Sequence, residues 1–410
     1  MTKKSDAPAI RFKGFSDAWE QRKLSEITDK VTEKNAGLQY VETFTNSAEF
    51  GIISQRDFFD HDIAKLGSLD GYYIVKTEDF VYNPRISTSA PVGPINRNKL
   101  GRTGVMSPLY TVFRPHDIDT TYLEYFFKCG YWHSFMNFNG DSGARSDRFS
   151  IRDNVFFQMP IPIPDIDEQR KIGELLTCLD NLITLHQRKF EKLTNVKKSM
   201  LEKMFPQNGS SYPEIRFKGF TDPWEQRKLG DIADIVGGGT PSTGNQSYWD
   251  GDIDWYAPAE IADQIYANSS QKKITGLGYE NSSAKMLPPG TVLFTSRAGI
   301  GKTAILTRKG CTNQGFQSIV PHRGELDSYF IFSRTEELKR YGELVGAGST
   351  FVEVSGKQMA VMELMMPPTM REQQTIGGFF QQLDHLITLH QRELEKLQNI
   401  KKSMLEKMFV

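Results

Sequence analysis

The sequence predicts an α+β protein that contains one structural unit twice. We expect two α/β globules separated by two long antiparallel α-helices, which form a coiled-coil spacer with pseudo-twofold symmetry. Two repeats predict this arrangement. Glu168–Phe205 returns as Glu372–Phe409 with 26 of 38 residues identical, and Ile10–Leu24 returns as Ile215–Leu229 with two differences in 15 positions. Each unit therefore begins with a short aromatic and basic segment and ends with a long amphipathic one.

The longer repeat has the pattern of an amphipathic helix. Its apolar residues recur at spacings of three and four, which places them on one face of a helix roughly 55 Å long. Each copy begins with a capping box, Asp165-x-x-Glu168 or Thr369-x-x-Glu372. A lone helix cannot bury this stripe, so the other copy is the expected partner; an ordinary core helix is the alternative. The stripe of the first copy consists of Ile172, Leu175, Leu176, Leu179, Leu182, Ile183, Leu193, Val196 and Met200.

The repeats set the domain boundaries. We predict a first globule at 1–163, a spacer helix at 164–205, a linker at 206–214, a second globule at 215–367 and a second spacer helix at 368–410. The linker, PQNGSSYPE, is rich in residues that break regular structure. Its counterpart in the repeat is the junction of the two termini, so we expect the termini to lie close together.

The regions between the repeats, 25–163 and 230–367, are nearly equal in length but share little sequence. Short β-like runs alternate with Gly, Pro, Asn and Asp turns in both. A weak echo links them: in DFVYNPRIST at 79–88 and in GTVLFTSRAG at 290–299, a β-like run leads into a loop arginine. We therefore expect two globules of one fold.

Composition narrows the class of protein without indicating a partner. The 50 basic and 50 acidic residues leave no net charge. Three isolated cysteines indicate a reducing compartment, with no disulfide framework and no zinc site. The sequence has no run approaching 18 apolar residues, and MTKKSDAPAIRF lacks the apolar core of a signal peptide. We expect a cytoplasmic protein with no membrane segment.

Two glycine-rich stretches look like phosphate-binding loops but do not fit the motifs. GIGKT at 299–303 ends like a Walker A loop, yet Ser296 stands where that motif requires its first glycine. VGGGTPSTGN at 236–245 lacks the GxGxxG spacing. No nucleophile–base pair or carboxylate cluster recurs in both units. The sequence therefore predicts a non-catalytic chain, with no catalytic residues and no metal site.

Two unlike globules that alternate with two near-identical helices resemble the specificity subunit of type I restriction–modification enzymes. The resemblance covers essentially the whole chain. It rests on FKGF-x-D-x-WEQRKL before each variable region and on EQ-x-x-I…LD-x-LI-x-LHQR…K-x-SMLEKMF after it. GGGTPSTGNQSYWDGDIDWYAP at 237–258 also looks like the start of a target recognition domain.

The resemblance implies that each globule reads one half of a split sequence in double-stranded DNA. It implies that the helices hold the globules apart and bind two methyltransferase (modification) subunits, which restriction/translocase subunits then join. Catalysis in that family lies on the other subunits, so S-adenosylmethionine, ATP and Mg are expected there and no cofactor is expected on this chain. One feature departs from the resemblance: each variable region carries about three more acidic than basic residues, whereas DNA-binding surfaces are usually basic.

The expected DNA contacts are side chains that reach base edges, such as arginine to guanine and asparagine or glutamine to adenine. For each candidate the alternative is a purely structural role, in which the side chain only makes hydrogen bonds to backbone groups of its own loop. The candidates are Tyr82, Asn83, Arg85, Arg97, Arg102, Arg145, Ser146, Arg148, Ser296, Arg297, Lys302, Asn313, Gln314, Ser349 and Thr350. The repeated WEQRKL segments are expected to bind the methyltransferase through Trp19, Arg22, Trp224 and Arg227.

Two other functions stay open. A non-catalytic coiled-coil scaffold could present two unlike binding modules to protein partners, and its binding would be insensitive to salt and to DNA sequence. An autonomous DNA enzyme is disfavoured, since the sequence lacks the catalytic and cofactor motifs that it would need.

Overall fold

The two long helices are each shared between two parts of the chain. The computed structural model describes residues 7–59, 66–142, 147–207, 209–261, 264–297, 299–347 and 353–409. A first unit consists of residues 1–186 with 393–410, and a second unit consists of residues 187–392. Each unit therefore holds one globule, the beginning of one long helix and the end of the other.

The first unit is a set of short, mostly antiparallel strand pairs packed on helices. Its strands are β1 (Glu20–Lys23), β2 (Thr28–Lys30), β3 (Phe44–Ser47), β4 (Gly51–Ser54), β5 (Tyr73–Val75), β6 (Phe80–Tyr82), β7 (Ile95–Arg97), β8 (Gly104–Met106), β9 (Thr111–Pro115), β10 (Asp141–Ser142), β11 (Phe149–Ser150) and β12 (Pro160–Ile163). Its helices are α1 (Gln55–Phe59), α2 (Thr120–Lys128), α3 (Tyr131–Asn139), α4 (Asp153–Phe156) and the long α5 (Ile166–Lys203). A four-stranded sheet has the order β2-β9-β6-β7, and β1 pairs with β12.

The second unit repeats this plan with larger sheets. Its strands are β13 (Glu225–Lys228), β14 (Ala233–Gly237), β15 (Trp249–Tyr256), β16 (Tyr266–Ala267), β17 (Lys272–Ile274), β18 (Val292–Phe294), β19 (Thr303–Leu306), β20 (Cys311–Thr312), β21 (Gln317–Pro321) and β22 (Glu363–Met366). Its helices are α6 (Leu229–Ile232), α7 (Gly276–Glu280), α8 (Ser328–Ser333), α9 (Thr335–Gly346), α10 (Gly356–Ala360) and the long α11 (Met370–Lys407). The sheets have the orders β14-β21-β18-β19-β16 and β17-β15-β20, and β13 pairs with β22.

The predicted echo between the two globules is confirmed. β6 lies beside β9, and β18 lies beside β21, at matching places in the two sheets. All three residues of β6 and of β18 are buried, because each strand is covered on both faces. Each strand then runs into a loop that carries the predicted arginine.

The long helices begin and end within three residues of the predicted segments, and in each unit their ends run antiparallel. In the first unit, Lys401 near the end of α11 pairs with Asp180 of α5 at 2.5 Å. Further along α11, the Lys407 carbonyl accepts from the Ile10 N–H at 2.9 Å, next to the arginine that reaches Glu168. In the second unit, the Lys203 carbonyl accepts from the Ile215 N–H at 2.9 Å. The expected closeness of the two ends of the sequence is thus confirmed within the first unit, by the Ile10–Lys407 bond.

The predicted capping boxes are only half correct. Thr369 Oγ1 accepts from the Glu372 N–H at 3.3 Å, as expected. In the first copy, however, Asp165 Oδ1 accepts from Asp167 rather than from Glu168. The carboxylates of Glu168 and Glu372 do not complete the boxes because each accepts hydrogen bonds from the short repeat.

A buried carboxylate anchors the short repeat to each long helix. Glu168 is fully buried, and Arg11 donates to it through two nitrogens at 2.8 Å each. Trp19 Nε1 donates to the same carboxylate at 3.3 Å. In the second unit the same three bonds measure 2.7, 2.8 and 3.2 Å, between Arg216, Trp224 and Glu372. The two short repeats therefore make the same three hydrogen bonds to the buried acid of their unit.

The glutamine that follows each glutamate fixes the globule. Gln169 Oε1 accepts from the N–H of Asp119, which caps α2, and its amide donates to the Pro164 carbonyl. Gln373 makes the corresponding bond to Asp327, which caps α8. The EQ dipeptide of each repeat thus joins the long helix to the short repeat through its glutamate. Its glutamine joins the long helix to α2 in the first unit and to α8 in the second.

Membrane insertion and disulfides find no support in the described ranges. Within them, no helix has both the length and the apolar content to span a bilayer. Cys129, Cys178 and Cys311 are free thiols.

Glu168→Gln should lower the free energy of unfolding of the first unit by about 3 kcal/mol, because it leaves the Arg11 guanidinium facing a neutral group in a buried site. Glu372→Gln should destabilise the second unit to a similar extent. Urea unfolding followed by hydrogen exchange in each unit measures both effects. Glu174→Gln, an exposed position on the same helix, is the matched control, and a Glu168→Gln chain as stable as this control would contradict the role of the anchor.

Candidate functional site

In each unit an aspartate of the long helix joins three elements. Asp180 of α5 accepts from the Tyr125 hydroxyl at 2.7 Å and from Lys401 of α11 at 2.5 Å. Burial alone would raise the pKa of Asp180, but the hydrogen bonds from Lys401 and Tyr125 outweigh it and hold this pKa below its ordinary value. The matching set in the second unit is Asp384, Tyr329 and Lys197, with distances of 2.8 and 2.5 Å. These contacts fix each globule against both helices of its unit.

The end of β6 and the loop that follows it carry three of the predicted DNA contacts, and two of them are structural. Tyr82 is only 3% exposed, and its hydroxyl donates to the Val92 carbonyl at 2.9 Å. Asn83 donates to the Asn46 carbonyl at 2.8 Å and accepts from the Arg85 N–H at 3.0 Å. The prediction that Tyr82 contacts a base is wrong for this conformation, since its ring belongs to the core, and Asn83 shapes the loop.

Arg85 and Arg148 are brought together. They are directly opposite in an isolated antiparallel bridge, and both are exposed. The Ile86 N–H donates to the Asp147 carbonyl at 3.0 Å, and the Phe149 N–H donates to the Pro84 carbonyl at 2.7 Å. Among the described candidates of this unit, these two exposed residues thus share one surface.

Arg97 and Arg102 are engaged within the protein. The buried side chain of Arg97 pairs with Glu78 at 3.0 Å and with Glu124 at 2.6 Å. Arg102 donates two hydrogen bonds of 2.8 Å to Glu42. The prediction that Arg97 contacts DNA is therefore corrected, because its charge is already satisfied inside the globule. Arg102 is partly exposed but is also neutralised.

The corresponding loop of the second unit gathers Ser296 and Arg297. Ser296 is buried; its N–H donates to the Gly315 carbonyl at 2.8 Å, and its carbonyl accepts from Val354 at 3.0 Å. The side chain of Ser296 therefore has no surface from which to contact a base. Arg297 is exposed and pairs with Glu353 at 2.9 Å.

The remaining candidates of the second unit line the same group of loops. Asn313 Oδ1 accepts from the Gly315 N–H at 2.8 Å, so this side chain holds a turn. Gln314 is exposed and accepts from the Thr240 hydroxyl at 2.5 Å. Lys302 is exposed. Arg145, Ser146, Ser349 and Thr350 lie outside the described residues, so their roles stay predictions.

The sequence did not single out Thr240, although it lies in the GGGTP stretch. A Cβ on Gly238 of that stretch would lie 2.0 Å from the Asn313 carbonyl oxygen, so only glycine allows this backbone to pack against the Asn313–Gln314 loop. The run of glycines was the available signal.

The predicted partner surface needs correction at its tryptophans. Trp19 and Trp224 are 4% and 2% exposed and belong to the anchors described above, so neither is available to a partner. Arg22 and Arg227 remain about one-third exposed, and they pair with Glu26 at 3.9 Å and with Glu325 at 2.6 Å.

Each long helix exposes a pair of leucines that the apolar pattern did not separate from the core. Leu182 and Leu185 of α5 are 38% and 45% exposed. The matching residues of α11, Leu386 and Leu389, are 40% and 44% exposed. Beside the first pair lies a cleft of about 540 Å³ that is also lined by Arg170, Glu174 and Cys178. The two units thus present the same apolar feature on each helix.

A metal centre is not formed by the residues described. Among them, no three His, Cys, Asp or Glu side chains come close enough together to hold an ion.

Comparison with known proteins identifies a family to which the sequence is similar. The model of the type I restriction modification DNA specificity domain matches the chain twice, at residues 16–195 and 221–399. The type I restriction enzyme MjaIX specificity subunit of Methanocaldococcus jannaschii is 34% identical over 190 residues, which cover 46% of this chain and 44% of that protein. The type I restriction enzyme EcoR124I/EcoR124II specificity subunit of Escherichia coli is 26% identical over 239 residues, which cover 56% of each. The chain thus spans about half the length of the curated relatives it matches.

A solved structure shares the fold. The crystal structure of the type I restriction–modification system S subunit from M. genitalium superposes with a TM-score of 0.60 at 12% identity, over 98% of this chain and 99% of that one. At this identity the likeness bears on the fold alone.

Proposed function

The chain belongs to the type I restriction modification DNA specificity family, and we propose that it selects the DNA site for such a system. In this proposal each globule reads one half of a bipartite, asymmetric sequence in double-stranded DNA. The observation that carries the proposal is the contrast between an identical frame and divergent loops. The Arg11–Glu168 anchor and the Asp180 contacts recur in the second unit, whereas the loops around Arg85 and Arg297 differ.

The chemistry lies with partner subunits in this account. Two methyltransferase subunits supply S-adenosylmethionine-dependent methylation, and restriction/translocase subunits supply the ATP- and Mg-dependent steps. The chain itself acts as a non-catalytic recognition subunit. A scaffold for protein partners is the competing function, and the exposed leucine pairs suit it equally well. The opposed arginines Arg85 and Arg148 favour nucleic acid, since two adjacent exposed positive charges suit an anionic partner.

The methyltransferase subunits bind surfaces that the two units share. These surfaces comprise the exposed leucine pairs of α5 and α11, together with the β1 and β13 strands that carry Arg22 and Arg227. Because matching surfaces take identical partners, the chain binds two copies, one per unit.

The two helices set the gap between the half-sites. As an antiparallel coiled coil they hold the globules apart, so that both reach one face of the duplex with half-site centres about one helical turn, or roughly 34 Å, apart.

Exchanging the variable regions tests the division of labour. Replacing 230–367 with a second copy of 25–163 keeps β13, the Glu372 anchor and Asp384, all of which have identical counterparts in the first unit. Co-expressed with its methyltransferase, this hybrid should methylate an inverted repeat of one half-site, as read by sequencing the modified positions. A hybrid that still methylates the original asymmetric site would show that the globules do not read the DNA.

Partner binding can be counted. Leu182→Ala with Leu185→Ala should reduce the complex from two methyltransferase subunits per chain to one, because the lost apolar contact weakens one of two separate interfaces. Native mass measurement of the co-purified complex reads the number directly. Leu109→Ala changes an exposed leucine of the globule and should leave two subunits bound. Two subunits on the double variant would place the interface elsewhere.

Lengthening both helices tests the spacer. Four residues inserted after His186 and four after Arg392 leave each unit unbroken. They should move one globule by roughly 6 Å with about 40° of rotation, so the methylated sites should keep both half-sites with a gap longer by one or two base pairs. Two residues at each point rotate the globule by about 200° and should abolish recognition. An unchanged gap after the four-residue insertions would mean that the helices are not the ruler.

A further inference from the structure

Two arginines of the first globule face the same way from adjacent chain segments that meet in an isolated antiparallel bridge. Arg85 and Arg148 are bridge partners, and the flanking bonds run from Ile86 to Asp147 and from Phe149 to Pro84. This is the pattern of a non-hydrogen-bonded antiparallel pair, in which the Cα atoms are about 4.5 Å apart and the side chains lie closest together. Both guanidinium groups therefore extend from one small patch.

This pairing is unfavourable for the isolated protein. Like charges directly opposite one another on paired strands destabilise them, and among the described residues neither arginine has an ion-pair partner. Other arginines of the same globule are treated differently: Arg97, Arg102 and Arg114 each pair with a carboxylate at 3.0 Å or less. A patch of two exposed cations, with no ion-pair partner among the described residues, is suited to bind an external anion or a set of hydrogen-bond acceptors.

Packed side chains and hydrogen bonds adjoin both sides of the patch. Behind Arg85, Tyr82 is stacked on Phe156 at 5.0 Å in the core, and Asn83 holds the turn from both sides. Beside Arg148, Phe149 is buried. A two-stranded ribbon fits the major groove of B-DNA, where guanine presents its O6 and N7 acceptors to the fork of one arginine.

Next to Arg148 the surface is concave and polar. A cleft of about 410 Å³ opens there, lined in part by Tyr73, Tyr110 and Ser150. Tyrosine and serine hydroxyls commonly contact the sugar–phosphate backbone. The cleft can therefore bind the backbone of the DNA strand next to the two arginines.

From these observations we infer that Arg85 and Arg148 determine the specificity of the first half-site by recognising guanine in the major groove. The inference rests on the proposed function and adds the residues and the base. It does not extend to the second globule, where the corresponding Arg297 is paired with Glu353. The two globules therefore differ in their loop arginines. Guanine recognition by Arg85 and Arg148 is inferred for the first half-site alone.

Arginine-to-lysine variants separate base recognition from simple charge. Arg85→Lys and Arg148→Lys keep the positive charge for phosphate but lose the bidentate fork. Each should lower the preference for guanine at a position of the first half-site by about 10- to 100-fold, with the second half-site unchanged. Arg114→Lys, at an arginine that pairs with Asp79 and is not among the predicted DNA contacts, is the control and should leave both half-sites as they are. The measurement is sequencing of the sites methylated by each full chain co-expressed with its methyltransferase.

The outcomes are distinct. A first half-site that stays the same in both variants would overturn the inference while leaving the proposed function intact. Weaker methylation at every site with the consensus unchanged would also overturn it, since that is the behaviour of a phosphate contact. A wild-type chain without any split consensus would overturn the proposed function and this inference with it.

Discussion

In each unit a buried carboxylate of the long helix holds the short repeat. Glu168 and Glu372 are shielded from water, where an unpaired charge is costly, so each requires the arginine and tryptophan of the short repeat. The short repeat in turn meets the end of the other long helix. One acid therefore fixes three elements in the same arrangement twice. The loops between these fixed elements are free to differ, which is the condition for two recognition surfaces on one frame.

Ion pairs inside the globules help to explain how globules with an acidic net charge can serve the proposed DNA-reading role. Many of their carboxylates are neutralised internally: Asp79 pairs with Arg114, and Glu124 pairs with Lys128. In the second globule Asp254 accepts from Lys273, and although burial raises the pKa of Asp254, this and other hydrogen bonds lower it to about 2. Net charge therefore describes these globules poorly. The local potential near a few unpaired arginines governs what approaches them.

The repeat was predictable because identical residues and the helical spacing of apolar residues can be recognised in the sequence alone. Both long helices and the matching loops were predicted from these two signals. Which polar and aromatic side chains are buried was harder to predict from the sequence. Trp19 and Trp224 stand in a polar, basic segment that looks like surface, and the acid that buries Trp19 lies 149 residues away in the sequence. Tyr82 and Ser296 were predicted as base contacts from their places in and after β-like runs, but they pack against residues distant in the sequence. Tyr82 stacks on Phe156, and Ser296 bonds to Gly315 and Val354. Arg85 and Arg148, by contrast, combine the predicted position with an exposed and shared surface.

The central claim is that one frame presents two different DNA-reading surfaces. The most direct measurement binds the chain, together with its methyltransferase, to random duplexes and sequences the bound fraction. The account predicts a split consensus with two unlike halves separated by a fixed gap, and binding that weakens as salt rises. A bound fraction without any consensus, or binding indifferent to salt, would contradict it and favour a scaffold for protein partners.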